Sequence, residues 1–345
     1  MNLAFDTPAL KVRACVASTH CDHPAIGEVR TGTRCVCNYT LRMAKRSKTD
    51  PLLAATLFEM EKPGPGPNVI AKTALDRPYD LPSLLLGTSA FTARGWQDTF
   101  YPNDMKSSDY LTYYATKFRT VEIDSTYYGT PSRSTVIGWR DKTPPDFIFA
   151  AKVLQSITHD KMLIDCDAEF EDFLDTMSLL DGKLGPLVFQ FPYFDRWKFA
   201  TQKDFVAVLT PFLEKHSANH KFAIEIRNRT WLDAAFADLL RKHKVALVLQ
   251  DLPSMPRPWE FNQKLDFVTA EFVYVRWLGD RKGIEERTKT WDKTIVDRRG
   301  DLMKWAELLR QLLTRNLRVF AYANNHYAGH GPATVKLFWE LYNRE

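Results

Sequence analysis

The chain lacks a membrane segment: no apolar run reaches the roughly 18 residues that a helix needs to cross a bilayer, and the most apolar stretches, such as KVALVLQD, have the length of a strand. The N-terminus carries no apolar core of signal-peptide type, so the expected location is cytoplasmic, with no membrane partner. Cysteine is scarce where a fold would need it. Of five cysteines, Cys166 alone falls in residues 81–345, which excludes a disulfide framework there. The other four, Cys15, Cys21, Cys35 and Cys37, lie near His23, but no C-x-x-C pair occurs and Cys35-Val-Cys37 is too tight for a zinc half-site. A charge of one sign is also missing. The net +5 divides into +3 over residues 1–80 and +2 over the remainder, so the larger part has no general nucleic-acid footprint. No G-x-G-x-x-G turn follows the first strand-like run, which weakens an open dinucleotide-binding sheet.

What is present divides in two. Residues 1–80 show no sustained periodicity, include the turn-rich EKPGPGPN, and read as a loosely ordered extension that Met43 or Met60 would shorten as an alternative start. From residue 84 a pattern repeats. Strand-length apolar runs occur at 84–87, 120–126, 147–153, 185–191, 221–228, 244–251, 272–279 and 318–325. Helix-like segments at 108–118, 168–180, 203–216, 231–243, 301–316 and 332–342 fill most of the gaps. Eight strand–helix units imply a parallel sheet with helical crossovers, closed as a (βα)8 TIM barrel over residues 81–345.

Alternation along the strands then selects a lining. Glu122 and Asp124 share one parity of the second strand, Glu225 and Arg227 one parity of the fifth, Tyr274 and Arg276 one parity of the seventh, and Tyr322, Asn324 and His326 one parity of the eighth. The third, fourth and sixth strands end in Lys152, Gln190 and Asp251. These polar residues come late in their strands and are expected to converge at the C-terminal mouth, where barrels of this type keep their active sites. Glu122, Glu225 or Asp251 is the expected general base and His326 the acid. Lys152, Gln190, Arg227, Arg276, Asn324 and Asn325 are the expected ligands of an anion or substrate. Pro332 opens the last helix, so its N-terminus offers a second anion site.

Each reading has a structural counterpart. Glu225 and Arg227 can be an ion pair that closes the barrel, Lys152 a salt-bridge partner, and His326 a turn residue. Aromatics near the mouth, among them Phe91, Trp96, Tyr127, Tyr128, Tyr193, Trp231, Trp277 and Tyr327, can stack on sugars or bases or simply pack. No cofactor is indicated beyond, at most, one divalent cation on Glu122, Asp124 or Asp251. A glycosidase of the common type is disfavoured, because strands four and seven end in Gln190 and Arg276 instead of carboxylates, while Glu122 with Glu225 stays open as a carboxylate pair.

Several motifs resemble those of the YecE-like proteins, the domain of unknown function 72. They are LLLGTSAF, FYP, FRTVEIDSTYYGTP, FIFAAKV with THD after it, GPLVFQFP, FAIEIRNRTW, ALVLQD, YVRWLG and YANNHYAGHGPAT, in order over about residues 84–340. The resemblance implies a TIM barrel and implies no particular reaction. Two functions fit: a hydrolase for a phosphorylated, sugar or nucleic-acid substrate, and a non-catalytic module that holds a small anion, a nucleotide or nucleic acid at the mouth. A Schiff-base lyase on Lys152 is a third.

Overall fold

A computed structural model describes residues 77–79, 81–261 and 265–344. The expected extension over 1–80 and the cysteine cluster at 15–37 therefore lie outside the described residues, apart from 77–79. Eight parallel strands run in the order β1-β8-β7-β6-β5-β4-β3-β2. They are β1 (Leu84–Thr88), β2 (Thr120–Ile123), β3 (Ile148–Lys152), β4 (Leu184–Gln190), β5 (Phe222–Glu225), β6 (Ala246–Asp251), β7 (Phe272–Trp277) and β8 (Arg318–Ala323). The α-helices are α1 (Tyr110–Lys117), α2 (Arg133–Asp141), α3 (Asp167–Met177), α4 (Gln202–His216), α5 (Ala234–Lys242), α6 (Arg281–Arg287), α7 (Arg299–Thr314), the short α8 (Asn325–Ala328) and α9 (Gly331–Tyr342). The described β6–β7 connection carries only a single 3-10 turn, Pro258–Glu260.

Local chemistry starts the helices where the chain must turn back. Thr201 and Asp204 form a reciprocal capping box on α4, and Asp233 accepts the Phe236 N–H at the start of α5. The strands are buried on both faces, as a parallel barrel requires. One parity packs outward on the helices through a large cluster that includes Val121, Phe149, Phe189, Ile224, Leu249, Val275 and Ala321. The other fills the barrel with Leu85, Ala150, Val188, Ala223, Ala246, Val248, Phe272, Tyr274, Phe320 and Tyr322. The bulky residues of β7 and β8 face alanines and valines of β3 to β6, so large and small side chains share the interior.

The seam between β1 and β2 closes by close approach. A Cβ on Gly87 would lie 2.2 Å from the Thr120 carbonyl oxygen, so only glycine admits this contact. The buried Tyr114 hydroxyl bridges the seam. It accepts the Thr88 N–H at 2.9 Å and donates to the Thr120 carbonyl at 3.2 Å.

No helix among the described residues is long and apolar enough to cross a membrane.

Candidate functional site at the barrel mouth

Arg276 stands at the centre of the mouth, 2% exposed. Its Nε and Nη2 donate to Glu122 Oε1 at 3.2 and 2.8 Å, and its Nη1 donates to Glu225 Oε2 at 2.8 Å. Tyr274 donates its hydroxyl proton to Glu122 Oε2 at 2.6 Å. Arg227 pairs with the other Glu225 oxygen and donates to Gln250 Oε1 at 3.0 Å. Asp124 Oδ1 lies 3.5 Å from Arg276 and 3.3 Å from Lys152 Nζ, which sits 3.9 Å over the Tyr127 ring. Glu122, Asp124, Lys152, Glu225, Arg227 and Arg276 thus form one continuous ion-pair network.

The network has two levels. Glu122 and Glu225 are fully buried beneath, and Arg276 ties them together. Burial pushes the Glu122 carboxyl above the usual carboxylate range against the pull of Arg276. Burial acts on Glu225 in the same sense, but Arg227 and Arg276 together hold it below that range. Both carboxylates hold Arg276, and Glu122 also accepts from Tyr274. At the upper level the side chains of Asp124, Lys152 and Arg227 are 36%, 10% and 18% exposed. Desolvation opposes ionisation of Asp124, and Lys152 and Arg276 overcome it and keep its pKa low. Gln190 lies beside Glu225 in register, with its amide N–H donated to the Phe191 carbonyl.

The expectation for Asp251 needs correction. In β6 the inner parity is Ala246, Val248 and Gln250, so Asp251 points outward with Leu247 and Leu249. There its buried carboxylate accepts from Trp305 Nε1 and the Tyr327 hydroxyl, both at 2.9 Å, and from Arg257 Nε at 3.0 Å. It is a structural tie between β6, α7 and the segment after β8.

The anion site expected at the start of α9 is also corrected. Its N–H groups are already satisfied: Gly331 N–H donates to Asn325 Oδ1, Ala333 N–H to His330 Nδ1 and Thr334 N–H to the His330 carbonyl, while Pro332 has none. Asn325 Oδ1 also accepts from Trp96 Nε1 at 3.2 Å, so its carbonyl serves the loop and not a ligand. Asn324 caps α8, accepting the His326 N–H, and donates to Ser89 Oγ at 2.8 Å. The expected acid, His326, has both ring nitrogens engaged, Nδ1 with Asn324 at 2.6 Å and Nε2 with Glu285 at 2.9 Å. Burial lowers its pKa.

His330 is the N-cap of α9, 4% exposed, and burial pushes its pKa down to about 4. The acceptor role of Nδ1 requires the neutral ring. Between pH 6.5 and 4 the folded state then binds fewer protons than the unfolded chain, so stability falls as pH falls through that window, by up to about 3 kcal/mol from this group. His330→Asn keeps a capping oxygen without the titration. Denaturant unfolding at pH 7 and pH 4.5 is expected to show a shallower loss for the variant, and superimposable profiles would sink the assignment.

His159 is the residue that strand parity missed. It lies in a π-type turn, Ser156–Asp160, after β3, and such turns often mark functional positions. Thr158 Oγ1 donates to the Leu154 carbonyl at 3.1 Å and so accepts from His159 Nδ1 at 2.8 Å. That leaves Nε2 as a lone pair with no partner among the described residues. Burial, then Lys152, Lys198 and Arg227, push its pKa down to about 4, so the ring is neutral at pH 7. Its sequence signals are the THD motif and its place near the mouth after the third strand.

The carboxylates named as alternatives for a divalent cation have cationic or hydrogen-bonding partners of their own. Glu122 and Asp124 both face Arg276, Asp251 points elsewhere, and no cluster of three or more His, Cys, Asp or Glu suited to a metal occurs among the described residues.

The family model described as protein of unknown function DUF72 matches residues 85–345, three quarters of the chain and the whole barrel. The chain belongs to the DUF72 family. Among curated relatives it is 31% identical over 151 residues to UPF0759 protein YunF of Bacillus subtilis, covering 41% of this chain and 51% of that one. It is 30% identical over 115 residues to UPF0759 protein YecE of Escherichia coli, covering 33% and 40%. The chain thus spans about half or less of the curated relatives it matches. A crystal structure of a DUF72 family protein from Thermotoga maritima superposes with a TM-score of 0.60 at 26% identity, over 74% of this chain and 97% of that one. One from Enterococcus faecalis superposes with a TM-score of 0.57 at 21% identity, over 76% and 98%, which is likeness of fold alone. The resemblance read from the motifs is therefore shown, and so is the barrel. No relative's name carries a reaction.

Proposed function

We propose that this DUF72 barrel binds a phosphorylated or similarly anionic small molecule at its mouth and hydrolyses it. The observation that carries the reading is the pair Lys152 and Arg227. Their side chains stay partly exposed at the upper level of the network, beside Asp124 and Glu225 respectively, while Arg276 is held from below by Glu122 and Glu225. A multi-oxygen anion can accept from the ammonium and from the guanidinium N–H groups together. Gln190 and Asn324 share the same inner parity and add polar lining.

His159 supports turnover. Its Nε2 lone pair is available at neutral pH and lies in the field of Lys152, Lys198 and Arg227, which favours a developing hydroxide. In the proposed step water attacks phosphorus, Nε2 accepts the water proton, and the ester oxygen leaves with the electron pair of the broken P–O bond. The same reading places the protein in the cytoplasm, where the buried thiol of Cys166 stays reduced.

Calorimetry with inorganic phosphate is expected to show binding that weakens about 10-fold or more in Lys152→Ala and in Arg227→Lys, the loss typical of a charged hydrogen bond. A phosphoester panel is expected to reveal turnover that His159→Asn removes while phosphate binding stays. Binding without turnover in the wild type would favour a non-catalytic anion-binding module. Absence of phosphate binding sinks the reading.

A further inference from the structure

We infer that the ligand is a nucleotide, its base stacking on Trp197 in the β4–α4 loop while its phosphate occupies the Lys152–Arg227 position; this rests on the anion-binding reading above. Trp197 is 81% exposed and Tyr193, in the same loop, 68%. These are the two most exposed large aromatic residues of the barrel, and both follow the C-terminal end of β4 on the mouth side.

Trp197 is held in this exposed position by its surroundings. Asp195 Oδ1 accepts the N–H groups of Trp197 and Lys198 at 2.9 and 3.1 Å, and the Asp195 carbonyl accepts those of Lys198 and Phe199. On either side Phe194 and Phe199 are buried, 4.9 Å apart, and both pack on Phe205. The loop therefore has apolar anchors in Phe194 and Phe199 and a hydrogen-bonded turn that leaves Trp197 turned to solvent.

The turn is also fixed relative to the anion position. Asn228, the residue after Arg227, donates to the Phe194 carbonyl at 2.8 Å and accepts the Phe194 N–H at 2.9 Å. That pair of hydrogen bonds staples the aromatic loop to the strand end that carries Arg227. The charges suit a phosphorylated partner: the Arg196 guanidinium lies 4.7 Å over the Trp197 ring, and Lys198 reaches into the field around His159. An exposed indole with a guanidinium over one face and the other face left for a base, on a loop tied by Asn228 to the strand end that carries Arg227, is an arrangement that takes a base and a phosphate together.

The test compares AMP with ribose 5-phosphate, which share the sugar phosphate and differ in the base. Calorimetry on the full chain is expected to show AMP binding about 10-fold or more tighter, the worth of one stacked base. Trp197→Ala is expected to abolish that preference and leave ribose 5-phosphate affinity unchanged, and Trp197→Phe to retain part of it. The side chain is too exposed for the variant to unfold, which a thermal melt checks. Equal affinities in the wild type, or a preference that survives Trp197→Ala, overturn the inference while phosphate binding still upholds the anion site. Binding of a single-stranded oligonucleotide without AMP binding overturns it in favour of a polymer. Failure of AMP, ribose 5-phosphate and inorganic phosphate alike removes the anion reading and this inference with it.

Discussion

Arg276→Met is expected to destabilise the barrel by about 3–5 kcal/mol, the cost of leaving buried charges without their partner. Methionine fills similar volume, so the loss is electrostatic. Glu122 and Glu225 are fully buried, and Arg276 donates three hydrogen bonds to them. Without the guanidinium the Glu122 carboxyl, already raised by burial, rises further and the Glu225 carboxyl loses one of the two arginines that hold it down. The folded state then binds more protons than the unfolded chain, and stability relative to wild type falls as pH rises. Urea unfolding of variant and wild type at pH 5 and pH 8 is expected to show the wider gap at pH 8. Adding Glu122→Gln and Glu225→Gln to Arg276→Met is expected to remove most of that pH dependence. A gap that does not change with pH would mean that the network is not what Arg276 stabilises.

Asp251→Ala is expected to cost a similar amount, about 3–5 kcal/mol, for another reason. It leaves the Trp305 N–H, the Tyr327 hydroxyl and the Arg257 guanidinium without their acceptor, and a buried unsatisfied donor costs about 1–3 kcal/mol. Because the carboxylate points away from the barrel interior, phosphate affinity of the folded variant is expected to match wild type. A large loss of affinity at unchanged stability would return Asp251 to the mouth.

Much of the fold was legible in the chain. All eight strands fall where short apolar runs recur, and the helices expected at 108–118, 168–180, 203–216, 231–243, 301–316 and 332–342 are present with boundaries shifted by a few residues. Parity was readable where one face ends in charge and the other in aliphatic residues, as in Thr120-Val-Glu-Ile and Phe272-Val-Tyr-Val-Arg. It was not readable in Ala246-Leu-Val-Leu-Gln-Asp, where both faces are apolar until the last two residues are both polar. There the register that sets Gln250 beside Arg276 and Asp251 beside Trp277 decided the matter.

Other features had no local signature at all. An unpaired helix start and a satisfied one have the same sequence, since His330 and Asn325 reach the α9 N–H groups only once the loop has folded. The β2 strand ends at Ile123, so Asp124 enters the mouth from a 3-10 turn and keeps an open side that Glu122, one turn of pleat below, lacks. By itself the sequence determined eight alternating units, which faces are apolar, and which residue types gather late in the strands, because hydrophobic periodicity and strand length are local properties. Only the tertiary structure decided which of those charges are spent on one another and which stay open to a ligand, because a buried charge is settled by partners that lie on other strands, up to 154 residues away in the case of Glu122 and Arg276.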